Sequence, residues 1–410
     1  MAGGEQVTDE HPLSPKLGGP AAGEGMPAVG ILDWYIPRLM ENRQHDLSQS
    51  GFIYPWNQDK LLSRLDEGEL IGFWQTGNDP REWIADRYGV ESENVGIGHG
   101  VCQSLTFALL AAMPDPDSIL HEKGRRKSRR IGVEMPSFGP VTQCARLLGC
   151  DVVPFYRGPS EPGDCGPWKF DREQLEEVLD DVSVIILTPM QNPTGWMLDE
   201  DDQRWIVDKA AEYGVNIVSD EVYLDSAMGD EIYRPFFEMG EHCLSVNSIT
   251  KTYGLGNLRF GWVIGPPELI VAAMNAYRNL QGLMAAPSAA IAGAAWRDLD
   301  AVLDALRSKR QSNLPKLCEV LAKHGIEWTP PPTGIFGLIP LPNDWPAVQA
   351  LAMHGKHRGL LAIPGGMFDA CLDSCLRIAW GGDDAGFPAA MEAFDEFLTA
   401  LEENQPPANS

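Results

Sequence analysis

The sequence predicts an α/β fold: an α/β/α sandwich with a mostly parallel central sheet, plus a smaller α+β domain. From about residue 95, short runs rich in β-branched residues alternate with helical stretches, and Gly, Pro or Asp separates them. The run at residues 182–187, Val-Ser-Val-Ile-Ile-Leu, is almost entirely apolar, as in a strand that is covered on both faces. After about Ala290 the alternation gives way to long helical stretches with a few short β-rich runs, which predicts the smaller domain.

The same punctuation predicts the individual elements in order. Strands are predicted at residues 131–134, 151–156, 183–188, 216–220, 244–248 and 259–264, with helices at 140–148, 171–179 and 200–213. We expect five regions: a flexible tail at 1–27, an N-terminal arm with a small-domain segment at 28–56, a large ligand-binding domain at 57–290, a small C-terminal domain at 291–402, and a flexible tail at 403–410.

Composition argues against several functional classes. The formal net charge of −26 predicts repulsion from nucleic acid and from anionic membranes, so an anionic ligand needs local positive groups. The basic run at residues 123–130 opposes that sign, and we expect a solvated loop there rather than a localisation signal or phosphate patch. The eight cysteines form no Cys-x-x-Cys pair, and no apolar run reaches the ~18 residues of a membrane span. We therefore expect a cytoplasmic protein without a metal site.

Polar residues follow two of the predicted strands. Asp220 ends one strand and Tyr223 follows it, at the strand end where α/β folds place ligands. A carboxylate there can keep a ring nitrogen protonated, although an Asp after a strand is more often a turn or a helix cap. Ser248 and Lys251 follow another strand. A lysine in that position is usually a surface residue, but a desolvated one is a good Schiff-base nucleophile, and the hydroxyl before it can bind a phosphate.

Three further segments carry candidate ligand-binding groups. Arg259 lies shortly after the lysine and offers a planar fork that suits a phosphate. Gly100, Val101 and Cys102 open a predicted helix, whose first backbone N–H groups can bind an anion. Asn192 begins an N-P-T-G sequence that is either a plain turn or the source of a side-chain amide beside Tyr223. Each of these signals is weak when it is taken alone.

In combination, the motifs resemble those of the class I/II aminotransferases, which belong to the fold-type I superfamily of pyridoxal-phosphate (PLP) enzymes. The resemblance covers about residues 50–385. Its specific parts are N-P-T-G at Asn192, S-D-E-x-Y around Asp220, S-x-x-K-x(7)-R ending at Arg259, and L-R-I around Arg377.

The resemblance implies a role for each of these residues. Lys251 would form the Schiff base with PLP and then move the proton at the substrate α-carbon. Asp220 would pair with the pyridine nitrogen, and Asn192 and Tyr223 with the phenolic oxygen. Other residues would bind the phosphate, stack on the ring or bind the substrate. The phosphate would be bound by Ser248, Arg259 and the backbone of Gly100, Val101 and Cys102. Phe138, otherwise a core phenylalanine, would stack on the ring. Arg377 and Asn192 would bind the substrate.

The sequence departs from the family pattern in two places. Many relatives donate a tyrosine across a dimer interface to the phosphate, and here Phe73 and Trp74 occupy that neighbourhood. Dicarboxylate-specific relatives use a second arginine, and around Ala285 there is none. The segment at residues 45–57, His-Asp-Leu-Ser-Gln-Ser-Gly-Phe-Ile-Tyr-Pro-Trp-Asn, resembles more loosely a branch that includes capreomycidine-synthase-like enzymes. Its Ser48, Ser50, Tyr54 and Trp56 would then line the substrate pocket, or else form a loop that crosses between the domains.

The resemblance implies transamination between an amino acid and a 2-oxo acid, in a homodimer. Elimination, decarboxylation or cyclisation at the same site is the alternative, because the geometry of the bound substrate decides which bond breaks. A PLP-binding regulator is disfavoured, since residues 1–27 are too short and too acidic for a helix-turn-helix.

Overall fold

The computed structural model describes residues 29–41, 44–114, 129–159, 166–227, 234–382 and 385–407. Its strands are β1 (His45–Asp46), β2 (Val95–Gly98), β3 (Arg130–Met135), β4 (Asp151–Pro159), β5 (Trp168–Phe170), β6 (Val184–Leu187), β7 (Asn216–Asp220), β8 (Cys243–Ser248), β9 (Gly261–Ile264), β10 (Phe336–Pro340), β11 (Leu360–Leu361), β12 (Ile363–Pro364) and β13 (Cys375–Ala379).

The helices alternate with these strands in the first half of the chain and dominate the second. They are α1 (Gly30–Met40), α2 (Gln58–Leu62), α3 (Glu69–Gly72), α4 (Pro80–Tyr88), α5 (Val101–Ala112), α6 (Gly139–Leu147), α7 (Arg172–Asp181), α8 (Glu200–Glu212), α9 (Pro267–Leu280), α10 (Ala286–Trp296), α11 (Leu299–Lys323), α12 (Ala347–Ala350) and α13 (Phe387–Glu403). Among the described residues, no helix is both long enough and apolar enough to cross a membrane.

The central sheet contains eight of the described strands, in the order β2-β9-β8-β7-β6-β3-β4-β5. The neighbours from β8 to β4 all pair in parallel. Strand β9 runs antiparallel to β2 and β8, and β5 runs antiparallel to β4. The predicted mostly parallel sheet is therefore confirmed.

Both faces of this sheet are covered by helices. Along β6, Val184 and Ile186 pack into a cluster with α5, α6 and α9. Ile185 and Leu187 point to the opposite face and pack with α7 and α8. This alternation with a period of two explains why the strand is apolar at almost every position, and it gives the predicted α/β/α sandwich.

The second half of the chain forms two smaller sheets. Strands β10, β13 and β12 make an antiparallel sheet, and β1 pairs in parallel with β11. The core that packs against these strands includes apolar residues of α11 and α13. Through β1, residues near the N-terminus join the C-terminal part of the chain, although they precede the central sheet in sequence.

The predicted start of the strand at 259–264 was wrong. The strand predicted at 259–264 begins only at Gly261, because Arg259 has a left-handed backbone with φ of 51°. That conformation ends a short turn at Gly256–Leu258 and is incompatible with a strand. The predicted tail at 1–27 and most of the basic run at 123–130 lie outside the described residues, as do residues 408–410 of the second tail.

Candidate active site

The carboxyl ends of three adjacent parallel strands bring the predicted site residues together. Asp220 ends β7, Ser248 ends β8, and Asn192 lies in the loop after β6. Because β6, β7 and β8 are neighbours in the sheet, these loops share one edge. Lys251 follows β8 by three residues, so the fold places it beside Asp220.

The side chain of Lys251 ends against two hydroxyl-bearing residues. Its Nζ donates to Ser50 Oγ at 3.2 Å, and the hydroxyl of Tyr223 donates to the same oxygen at 2.8 Å. Burial lowers the pKa of Lys251 to about 8, and the nearby charge of Arg377 acts in the same direction. Near neutral pH such a lysine has a much larger neutral fraction than an ordinary lysine, and the neutral amine is the form that a nucleophile or a base requires.

Two adjacent carboxyl groups lie at the end of β7, Asp220 as its last residue and Glu221 just after it. Burial raises the pKa of Asp220 to about 6, although a hydrogen bond from the backbone N–H of Val222 at 3.2 Å opposes this effect. Glu221 accepts hydrogen bonds from Phe236 N at 2.8 Å and Ser245 Oγ at 2.7 Å, and burial raises its pKa to about 8. Asp220 is thus a buried carboxyl group that still lacks a cationic hydrogen-bond partner among the described residues.

The start of α5 forms an anion-binding cradle with Arg259. Gly100 precedes the helix with φ of 80°, and no side chain caps the helix N-terminus. The guanidinium of Arg259 lies directly against Gly100, where a Cβ atom would overlap it, and donates to His99 O at 3.3 Å. Nearby, Thr250 Oγ1 is buried without a hydrogen-bond partner among the described residues. These donors fit a phosphate group.

Ser248 lies deeper than the other predicted phosphate ligands. It is fully buried at the end of β8, and its Oγ accepts a hydrogen bond from Thr250 N at 3.2 Å. Its hydroxyl hydrogen can still be donated to a ligand, because a hydroxyl accepts and donates at the same time.

Arg377 connects two other parts of the site. From β13, its Nη1 donates to Asn192 Oδ1 at 2.9 Å and its Nη2 donates to Ser48 O at 2.5 Å. The rings of Phe336 and Phe368 lie 5.7 and 5.4 Å from its guanidinium carbon. Its Nε is buried without a partner among the described residues, so the guanidinium keeps donors for a carboxylate.

The structure places Phe138 immediately before α6. It packs in a cluster with Ile31 of α1, Phe368 and Trp196, so its ring lies near the residues that flank Arg377. Tyr35 of α1 belongs to the same cluster and forms a hydrogen bond with Ser48. Burial raises the pKa of Tyr35, and the nearby charge of Arg377 opposes this effect. Sequence reasoning missed Tyr35, since α1 carries no motif.

A buried ion pair supports the loop that carries Asn192. Arg157 Nη1 and Glu134 Oε1 lie 3.1 Å apart, and both side chains are almost fully buried. Arg157 also donates to Trp196 O at 2.8 Å, while Glu134 accepts from Thr188 N at 2.7 Å. The pair therefore holds both ends of the 188–196 loop, and no sequence motif predicted it.

The departures from the family pattern have a structural counterpart. Phe73 is buried, and Trp74 Nε1 donates to Met284 O at 2.8 Å, so both aromatic side chains are engaged within their own chain. Of the N-terminal arm, Ser48 and Ser50 lie at the site. Tyr54 and Trp56 instead contact each other edge-to-face, with ring centroids 5.0 Å apart, and Trp56 Nε1 donates to Tyr253 O at 2.9 Å.

The sequence is similar to those of several known proteins. An aspartate aminotransferase from Streptomyces avermitilis is 27% identical over 277 residues, which cover 64% of this chain and 60% of that protein. A threonine-phosphate decarboxylase from Salmonella typhimurium is 23% identical over 197 residues, or 46% of this chain and 53% of that protein. The chain thus spans little more than half the length of these curated relatives in the matched regions.

Solved structures share the fold. A PLP-dependent aminotransferase from Streptococcus suis superposes with a TM-score of 0.76 at 20% identity, covering 93% of this chain and all of that one. The PLP-dependent cyclase OrfR superposes with a TM-score of 0.72 at 23% identity, covering 91% and 97% of the two chains. The sequence profile of "Aminotransferase class I and II" matches residues 75–394, and the chain therefore belongs to this family of PLP-dependent enzymes.

Proposed function

We propose that this protein is a PLP-dependent aminotransferase that transfers an amino group between an amino acid and a 2-oxo acid. The observation that carries the proposal is the placement of the amino group of Lys251. It lies within electrostatic reach of Asp220, Arg259 and Arg377, in a buried setting that lowers its pKa to about 8. These are the groups that a ring nitrogen, a phosphate and a substrate carboxylate each need.

The residues present fit the cofactor. Lys251 would attach it covalently, while Ser248, Arg259 and the start of α5 would hold its phosphate. Asp220 has no cationic partner within hydrogen-bond distance among the described residues and would accept a hydrogen bond from the ring nitrogen. When bound, PLP supplies an electron-poor ring that stabilises negative charge at the substrate α-carbon.

The chain's own groups would direct the reaction. Arg377 would bind the substrate carboxylate with the donors that its bonds to Asn192 and Ser48 leave over. Because Asn192 already accepts from Arg377 through Oδ1, its amide hydrogens remain for the phenolic oxygen of the cofactor, beside Tyr223. The freed amino group of Lys251 would take the α-proton, since its lowered pKa suits a general base near neutral pH.

The test follows the visible absorption of the PLP-loaded protein while single amino acids are added. We expect one of them to bleach the cofactor band and a 2-oxo acid to restore it. Lys251→Ala should lack the normal band, whereas Lys169→Ala, an exposed lysine paired with Asp199, should keep it. Recovery of the band without a 2-oxo acid, with release of ammonia or carbon dioxide or with a ring-closed product, would support a lyase, decarboxylase or cyclase instead. Absence of any band in the unaltered protein would refute the proposal.

We propose a cytoplasmic homodimer that acts in amino acid metabolism or biosynthesis, with a large PLP-binding domain at 57–290 and a small domain built from 291–402 and part of 28–56. Support for subunit contact comes from apolar side chains left in solvent, including Ile71 at 88%, Leu280 at 68% and Leu283 at 68% exposure. Light scattering should give twice the chain mass of 45.0 kDa, and a monomer would contradict the assembly.

A further inference from the structure

The residues that follow β1 are fixed from both sides. Leu47 N donates to Leu361 O at 2.8 Å, and Ala379 N donates to Leu47 O at 2.8 Å. Further along, Phe52 N donates to Lys251 O at 2.7 Å. Ser50 lies between these anchors and is 5% exposed. Its hydroxyl therefore has a defined position that does not depend on a flexible loop.

That hydroxyl lies between the two groups at the centre of the site. It accepts from Tyr223 at 2.8 Å and from Lys251 Nζ at 3.2 Å. A hydroxyl oxygen has two lone pairs and one hydrogen, so it can accept both bonds when Lys251 is charged. When Lys251 is neutral, the same hydroxyl can donate to its lone pair while it still accepts from Tyr223, but this bond is weaker because neither partner is charged.

We propose that Ser50 is a positioning residue, whose hydroxyl holds the amino group of Lys251 beside Tyr223 and stabilises its protonated form. The idea rests on the proposed function only in that it assigns the chemistry to Lys251. Through Ser50, the segment that links β1 to the site would set how readily this amino group gains and loses a proton.

Other charged and titratable groups also face Lys251, and they set the background against which Ser50 acts. The cationic groups of Arg377 and Arg259 favour the neutral amine of Lys251. The carboxyl group of Asp220 and the thiol of Cys102 favour its charged form. Within the described residues the Ser50 hydroxyl bonds to Tyr223 and Lys251 and to none of these four side chains, so a shift caused by the variant reports on the lost hydroxyl and its two bonds.

The test measures the protonation of Lys251 in the cofactor-free protein. The rate of its modification by trinitrobenzenesulfonate is followed against pH, and the Lys251 peptide is quantified by mass spectrometry. The pH at which the modification rate of Lys251 is half its maximum is the midpoint. In Ser50→Ala we expect this midpoint to fall by about one pH unit, because a hydrogen bond to the charged form of Lys251 is lost. Ser50→Thr, which keeps a hydroxyl, should restore most of the midpoint.

Ser226→Ala is the matched control. Ser226 is also buried and also bonds to Tyr223, but through the backbone carbonyl at 2.7 Å, so its loss should leave the Lys251 midpoint unchanged. If Ser50→Ala does not fold, Ser50→Cys gives the same measurement with a weaker acceptor.

An unchanged midpoint in Ser50→Ala, or an equal shift in Ser226→Ala, would overturn the inference. Because the assay needs neither PLP nor substrate, it can succeed even if the protein proves not to be an aminotransferase. Conversely, a protein that shows the PLP band and transamination but no effect of Ser50 would keep the proposed function and lose only this inference.

Discussion

Replacing Asp220 by asparagine should stabilise the cofactor-free protein while it abolishes the activity. The structure buries this carboxyl group at the end of β7 and raises its pKa from an ordinary 3.8 to about 6. A difference of about two pH units corresponds to about 3 kcal/mol of unfavourable free energy when the group is ionised in the folded protein. Asparagine has nearly the same shape and no charge, so up to about 3 kcal/mol should be regained at pH 7.

The pH dependence of the unfolding free energy shows whether the buried charge of Asp220 causes the difference in stability. Between pH 3.8 and about 6 the folded protein keeps the Asp220 proton that the unfolded chain has lost, so the stability of the original protein falls as pH rises through this window. The gain in stability from Asp220→Asn should therefore be complete above pH 6 and should vanish below pH 4. Glu221→Gln is the matched comparison. For this variant the gain in stability should keep growing up to about pH 8, because burial raises the pKa of Glu221 to about 8.

The assay is urea unfolding of the cofactor-free proteins at several pH values, followed by the fluorescence of the twelve tryptophans. The difference in unfolding free energy between Asp220→Asn and the original protein is the quantity of interest. A variant that is less stable at pH 7, or a difference that does not change with pH, would refute the reasoning from burial. PLP should narrow the difference, since it binds the folded form and supplies Asp220 with a cationic partner.

Three other substitutions test separate parts of the site. Arg377→Lys keeps the charge but loses the planar fork, so KM for the amino acid should rise roughly 10–100-fold, as steady-state kinetics would show. Gly100→Ala should weaken PLP binding in an absorption titration, because a Cβ atom there overlaps the facing guanidinium, whereas Gly214→Ala has a comparable positive φ in open space and should not. Arg157→Met leaves the carboxylate of Glu134 buried and should cost about 3–5 kcal/mol in urea unfolding.

Each of these expectations has a clear contrary result. An unchanged KM in Arg377→Lys would remove this arginine from substrate binding. Equal losses of PLP affinity in Gly100→Ala and Gly214→Ala would point to backbone strain alone. A mild effect of Arg157→Met would mean that water or a rearranged loop replaces the ion pair; replacing Glu134 as well should recover stability if the buried charge is the cause.

The parallel sheet and the residues at its carboxyl edge could be predicted because local sequence determines them. Asp220, Ser248 and the loop of Asn192 follow apolar runs, and the adjacency of parallel strands then brings them together. The strand of Arg377 could be predicted from its apolar neighbours Leu376 and Ile378, although its antiparallel partners could not.

Contacts between segments far apart in sequence could not be predicted. The bond between Tyr223 and Ser50 spans 173 residues, and nothing local in either segment implies it. Phe336 and Phe368 flank Arg377 only because β10 and the turn after β12 pack around β13. The left-handed backbone of Arg259 also escaped prediction, since arginine rarely adopts it and the structure fixes it through the turn before it.

The two bonds of Arg377 have a consequence for how the molecule responds to its ligand. Its guanidinium holds together a loop of the central sheet, a strand of the small antiparallel sheet and the segment from the N-terminal arm. A ligand carboxylate that accepts hydrogen bonds from the remaining donors of Arg377 would therefore stabilise the contacts among all three regions at once. Substrate analogues should protect all three from proteolysis and amide hydrogen exchange together, including backbone that no ligand atom touches.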